Sequence, residues 1–317
     1  MFKWPILFLT LPALCFAYSP TAKDQCQSLD LRNSTLGKVR DQGKIAWCYA
    51  FTASDMLGFA FDEASRISAA DIALNYNTSF LGRVIDIFSG KGIPHETGFT
   101  KTALNRSMKE GFCPEEIFPS DNWVKVTADG EEVIPMPEAM KEIKLLHDRR
   151  QELTSSNLPY YFKFRNIGPA EFLSLLQTKN LRRFYTSLRG EVCRDNRVSF
   201  PVRWKVKMAF RNKKIFYRIN EQLSLGRLVG LDYDARILDN KDHRGVKLSE
   251  LHTSSIVGRR WDDENNSCEY LIRNSYGESC SRYDESYECQ EGNLWLGESQ
   301  VYGSMISVVY MLHTPKI

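Results

Sequence analysis

Asp41-Gln42-Gly43-Lys44-Ile45-Ala46-Trp47-Cys48-Tyr49-Ala50-Phe51-Thr52 is the stretch on which the reading of this chain turns. A Gln-Gly pair stands ahead of a cysteine, and that cysteine opens an apolar run: Tyr49, Ala50, Phe51, Ala53, Met56, Leu57, Phe59, Ala60 and Phe61. Apolar residues fall on every face at helical spacing, which predicts a helix buried in the interior rather than laid on the surface. A thiol at the N-terminus of such a helix meets unpaired backbone N–H groups and the positive end of the helix dipole. Both favour the thiolate, so the Cys48 thiol is expected to be acidified, most of all beside an imidazolium. A thiolate is a nucleophile at neutral pH, and this is the chemistry the stretch suggests.

The rest of the chain bounds that suggestion. Its 317 residues allow one large or two modest domains. A formal net charge of +3 is too small to imply a nucleic-acid partner. No Cys/His spacing resembles a zinc site and no glycine-rich loop suits a phosphate, so neither a metal nor a cofactor is expected. Met1-Phe2-Lys3, an apolar run from Trp4 to Phe16 and Ala17 together read as a secretory signal peptide over residues 1–17. The mature protein is therefore expected to be soluble and secreted or periplasmic, with no membrane association after cleavage. Seven cysteines follow that segment: Cys26, Cys48, Cys113, Cys193, Cys268, Cys280 and Cys289. An odd number in an oxidising compartment suggests three disulfides and one free thiol, with Cys48 the odd one out. Six cysteines permit fifteen pairings. The local expectation is Cys280 with Cys289 across a short polar loop.

Gln42-Gly43, Cys48 and the Tyr-Ala-Phe after it resemble the active-site segment of papain-family cysteine peptidases. Ile45, Ala46 and Trp47 depart from that family's Cys-Gly-(Ser/Ala) before the nucleophile. The family disulfide that begins there is therefore expected to be missing. Leu29-Asp30-Leu31-Arg32 resembles the family's mature start, which leaves little space for a propeptide. Arg66 to Leu74 resembles the next family helix, with Ser68 as its cap. Thr97-Gly98-Phe99 stands where the family has Gly-Gly-(Tyr/Phe), so the resemblance implies that Gly98 contacts an extended substrate. Thr100 to Glu110 reads as a helix stopped by Gly111.

Two later segments carry the resemblance further. Leu251-His252-Thr253-Ser254-Ser255-Ile256-Val257-Gly258 is similar to the family's catalytic-histidine strand. Tyr270-Leu271-Ile272-Arg273-Asn274-Ser275-Tyr276-Gly277 is similar to Leu-Ile-Lys-Asn-Ser-Trp-Gly, the most specific match in the chain. His95, His147, His243 and His313 have no such segment after them. The resemblance implies Cys48 as nucleophile and His252 as its base and the later acid. It implies that Asn274 orients the imidazole under the shield of Tyr276, and that the Gln42 amide and the Cys48 N–H form the oxyanion hole.

Between residues 126 and 218 the resemblance lapses. Glu138–Leu153 and Pro169–Leu188 have helical periodicity. Residues 163–218 hold roughly fifteen Lys or Arg against three acids. This segment reads as a basic, mainly helical insertion. It is either a solvated face beside an acidic neighbour or an accessory subdomain at the cleft rim, selecting anionic partners or acting as a lid. The expected organisation is an α+β, papain-like two-lobe fold. A helical lobe (18–125) carries the nucleophile, the insertion follows (126–218), and a β-barrel lobe (219–317) carries His252 and Asn274. The function implied is an exported, monomeric cysteine endopeptidase acting on peptides or proteins. The alternatives are a thiol-dependent transglutaminase, deamidase or amidase on the same fold, and a catalytically degenerate binding module.

Overall fold

In the computed structural model, residues 18–61, 65–77, 98–200 and 204–313 are described. The expected signal segment, His95 and Thr97 lie outside them. The chain enters through a two-residue strand, β1 (Leu29–Asp30), crosses the Gln42 loop and begins α1 (Cys48–Phe61) at the cysteine itself. Every residue of α1 from Cys48 to Gly58 is buried. The reason is its surroundings: α2 (Ala69–Asn77) and α3 (Thr100–Glu110) pack against it on one side, and the sheet of the second lobe packs on the other. The Ser68 cap holds as expected, its Oγ accepting from the Asp71 N–H at 2.9 Å. The α3 helix ends where expected, with Gly111 at φ 77° in a conformation that disfavours any other residue.

After α3 the chain makes a three-stranded antiparallel sheet from β2 (Asn122–Thr127), β3 (Gly130–Pro135) and β4 (Tyr160–Lys163). Three helices accompany it: α4 (Met136–Asp148), α5 (Pro169–Leu176) and α6 (Leu181–Cys193). The periodicity over 169–188 thus spans two helices. Asn180 starts the second, its side chain accepting from the Arg183 N–H at 2.9 Å. The side chains of this segment do not form a core of their own. Ile134, Ile143, Phe162, Phe172 and Phe184 belong to the same buried cluster as Tyr49, Phe51 and Leu57 of α1. A disulfide between Cys113 and Cys193 ties α6 to the chain after α3. Part of the segment's positive charge is also internal: Arg189 and Arg197 pair with Asp71, which is buried on α2.

The second lobe is one sheet of eight strands. They are β5 (Trp204–Phe210), β6 (Val229–Asp234), β7 (Leu251–Asp262), β8 (Ser267–Arg273), β9 (Cys289–Gln290), β10 (Asn293–Gly297), β11 (Met305–His313) and β1. Their order is β5-β11-β6-β7-β8-β10-β9, with β1 added on β7. Helices α7 (Ile215–Ser224), α8 (Arg236–Asp239) and α9 (Glu298–Ser304) complete it around a separate core that includes Phe216, Tyr233, Ile256, Tyr270 and Leu294. Two cores, one mainly helical and one built on the sheet, make this an α+β, two-lobe fold. Two further disulfides, Cys26–Cys268 and Cys280–Cys289, lie in the second lobe, and the second is the pairing expected across the short loop. Cys48 is the free cysteine among the described residues. No described helix is long and apolar enough to cross a membrane.

Candidate active site

The seam between the lobes is held by buried charge. Asp55, two turns into α1, takes Arg273 Nε at 2.9 Å and Arg40 Nη2 at 3.1 Å. Arg40 also meets Glu115 at 2.8 Å. Burial works to raise the Asp55 carboxyl, but Arg273 and Arg40 outweigh it and hold it below its ordinary value. Arg273 is the last residue of β8 and directly precedes Asn274, so this pair fixes the Asn274 strand end against the helix that carries Cys48. The loop before α1 is tied to the same place. Gln42 N–H donates to the Ser275 carbonyl at 2.9 Å, and Gly277 N–H donates to the Arg40 carbonyl at 3.0 Å. Gly43 turns the chain with φ 58° and lies against Pro137 of α4.

These ties set the Gln42 side chain. Its Oε1 accepts from Ser275 Oγ at 2.5 Å and its Nε2 donates to the Ile45 carbonyl at 2.7 Å. One amide hydrogen remains. Gln42 lines a cavity of about 420 Å³ together with Cys48, His252 and Tyr276. The Cys48 N–H, at the start of the helix, donates to no backbone carbonyl among the described residues.

The backbone N–H groups of Thr253 and Tyr49 act on Cys48 in favour of the thiolate. Burial is the larger effect. With 7% of the residue exposed, desolvation pushes the thiol up to about 11, and the charge of nearby Asp232 acts in the same direction. His252, 5% exposed, is pushed down to about 4 by burial, although Asn274 resists this. Burial thus works against the acidification expected from the helix terminus. Burial opposes each charge taken separately, and only transfer of the proton from sulfur to ring creates two charges that offset one another.

The imidazole is held in one orientation. His252 Nε2 lies 2.6 Å from Asn274 Oδ1, which also accepts from Ser254 Oγ at 3.0 Å, while Asn274 Nδ2 donates to Tyr283 Oη at 3.2 Å. With Asn274 oxygen towards the ring, Nε2 carries the proton and Nδ1 keeps its lone pair. Ser254 is itself positioned by Tyr233 Oη at 2.9 Å. The Tyr276 ring lies over His252 with centroids 4.9 Å apart, and its hydroxyl stands 3.5 Å from Nδ1.

The structure thus brings Gln42, Cys48, His252, Asn274 and Tyr276 together. Gly98 stands apart from the cavity just described and packs flat on Tyr49: a Cβ there would fall 2.6 Å from the Tyr49 ring. The other described histidines are elsewhere; His147 Nε2 meets the Thr178 carbonyl and His243 stands 3.6 Å from Asp234. Sequence reasoning passed over Ser254, Tyr283, Arg273 and Asp55. Asp55 carried a signal, since a carboxylate within a helix apolar on every face requires a buried partner. Tyr283 carried none, because only the Cys280–Cys289 loop brings it under Asn274.

No protein-family model matches this chain, and no curated protein matches it. Solved structures that resemble it include the Amb a 11 cysteine protease, a ragweed pollen allergen, in its proform. That match has 12% identity, covers 95% of this chain and 73% of that one, and has a TM-score of 0.46. The bromelain protease from Ananas comosus in complex with an inhibitor has 13% identity, 91% and 99% coverage, and a TM-score of 0.43. A recombinant stem bromelain precursor has 13% identity, 93% and 74% coverage, and a TM-score of 0.46. At such identities these likenesses assign no role to Cys48, His252 or Asn274.

Proposed function

We propose that this chain is a papain-like cysteine endopeptidase, exported to an oxidising compartment, that hydrolyses peptide bonds through an acyl-enzyme. One observation carries the reading. A cysteine left out of three disulfides opens a buried helix and shares a cavity with a histidine whose far nitrogen is bound to an asparagine oxygen.

His252 Nδ1 takes the Cys48 proton as the sulfur attacks the substrate carbonyl carbon. The oxyanion is met by the spare Gln42 amide hydrogen and the Cys48 N–H. As the tetrahedral adduct collapses, the C–N bond breaks and the imidazolium gives its proton to the leaving amine, which leaves a thioester on Cys48. His252 then takes a proton from water, which attacks the thioester, and the sulfur departs and is reprotonated. Asn274 holds the tautomer that leaves the Nδ1 lone pair free for this transfer. Loss of one oxyanion donor, as in Gln42→Ala, typically slows such reactions about 100- to 1,000-fold. The three disulfides support folding outside a reducing cytosol. Residues 134–193, which share the helical lobe's core and touch the Gly43 loop through Pro137, act in this reading as a buttress for that loop.

The test is digestion of a peptide library and casein by the wild type and Cys48→Ala, with mass-spectrometric identification of products. Cys48-dependent internal cleavage is expected. Cys48-dependent release of ammonia or cross-linking without cleavage would replace the peptidase with an amidase or transglutaminase. Equal cleavage by both proteins would end the reading.

A further inference from the structure

Asp232 is a carboxylate beside the nucleophile that pairs with no cation among the described residues. It lies on β6, where it is the residue that is not fully buried. It pairs in register with Thr253, next to His252. Its Oδ1 accepts from Thr253 Oγ1 at 2.9 Å and its Oδ2 from Ser307 Oγ at 2.6 Å. Both donors are neutral. Among the described residues no Lys, Arg or His stands in an ion pair with it, although the chain holds 42 Lys and Arg. The buried carboxylates Asp55 and Asp71, by contrast, each have two arginines.

Its place is the interlobe seam. Gly230, two residues back on the same face of β6, lies against Thr52 and Met56 of α1 and Thr100 of α3. That face is therefore turned towards the helical lobe. The carboxylate is near enough to the Cys48 sulfur for its charge to act there, yet it does not line the cavity shared by Gln42, Cys48 and His252. It flanks the sulfur from outside that cavity. A charge so placed is costly: burial raises the carboxyl, and two hydroxyls only partly resist. It also opposes formation of the thiolate. A group with these two costs is explained by a positive charge that arrives with the substrate, which would pair with Asp232 and relieve its effect on Cys48 together.

We propose that Asp232 selects substrates with a lysine or arginine side chain close to the scissile bond, held by the carboxylate that Thr253 and Ser307 orient. This rests on the peptidase reading above and names the substrate class of that site. The Thr253 and Ser307 hydroxyls fix both oxygens, so an arriving ammonium or guanidinium meets a pre-set acceptor rather than a mobile one. A desolvated pair of this kind discriminates strongly against a neutral side chain of the same length.

The experiment compares kcat/KM for fluorogenic peptides that carry Lys, Arg, norleucine or Glu at each of the two positions on either side of the bond. Wild type and Asp232→Asn are assayed, with thermal melts to establish that both are folded. Wild type should prefer Lys or Arg at one position, and Asp232→Asn should lower the ratio of basic to norleucine substrate by roughly 10- to 100-fold. Norleucine peptides serve as the internal reference for any change in Cys48 itself. Cleavage with no basic preference at any position, or a preference that Asp232→Asn leaves intact, overturns this inference and leaves the peptidase reading standing. No Cys48-dependent cleavage of any peptide overturns both.

Discussion

Arg273 Nε lies 2.9 Å from Asp55 Oδ2, across the boundary between the two lobes. Each residue is nearly enclosed, with 3% and 10% of its side chain exposed. The pair links the strand end that presents Asn274 to the helix that presents Cys48, so it sets the site's geometry without touching the cavity. Removing one partner from a buried pair leaves an unmatched charge. Asp55→Asn should destabilise the protein by about 3–5 kcal/mol, read as a lower urea midpoint. An unchanged midpoint would mean that the lobes are held together without this pair.

Asn274 fixes the ring through one hydrogen bond and is itself fixed by Ser254 and Tyr283. Asn274→Ala leaves the Nε2 proton without an acceptor and the ring free to turn. The expected loss is roughly 10- to 100-fold in kcat with KM little changed, because the interaction serves the reacting state. Tyr283→Phe should produce a smaller loss of the same kind. Steady-state kinetics on any cleaved peptide checks both, and a KM effect alone would assign Asn274 to binding.

In the proposed mechanism the lowered His252 value sets the acid limit of turnover. A protonated ring cannot take the Cys48 proton, and burial pushes that protonation down to about pH 4. The acid limb of kcat/KM should accordingly lie near 4, below the roughly 6.5 of a free imidazole. A limb at 6 or above would show that the ring is solvated in the working enzyme.

Glu298 on α9 offers a separate pH test, of stability rather than rate. Its carboxylate accepts the Thr21 N–H at 3.1 Å and the Thr21 hydroxyl at 2.8 Å, pinning the N-terminal segment. Burial pushes the carboxyl up to about 7 despite these donors. Its folded value is thus above its unfolded one, so the folded state binds the proton more tightly. The contribution is complete below about pH 4.5 and is lost as pH rises through 7. The melting temperature should fall between pH 5 and 8 in wild type and change less in Glu298→Gln.

Gly98 has no side chain because Tyr49 occupies the space. Gly98→Ala places a methyl 2.6 Å from that ring, and Tyr49 adjoins Cys48. Overpacking of this kind costs about 1–3 kcal/mol. It should also slow Cys48 alkylation or peptide turnover by displacing the start of α1. A fully stable, fully active variant would place the close approach elsewhere.

What the sequence determined by itself was local. The apolar run after Cys48 specified a buried helix because no face of it was polar. Ser68 and Gly111 marked a helix start and a helix end through backbone hydrogen bonding and left-handed geometry. The nine-residue separation of Cys280 and Cys289 made their pairing legible. Distance along the chain hid the rest. Cys26 meets Cys268 across 242 residues, and nothing in either neighbourhood announces the partner. The strands β2 to β4 were missed because each buries a single residue (Trp123, Ile134 and Phe162), which leaves no period-two pattern to read. Only the tertiary structure decided the electrostatics of the site. A helix terminus acidifies an exposed thiol, but here two lobes close over the sulfur and the ring, and desolvation outweighs the dipole. The same closure leaves Asp232 partly open and without a cation among the described residues, a property that depends on which residues surround it and not on which precede it.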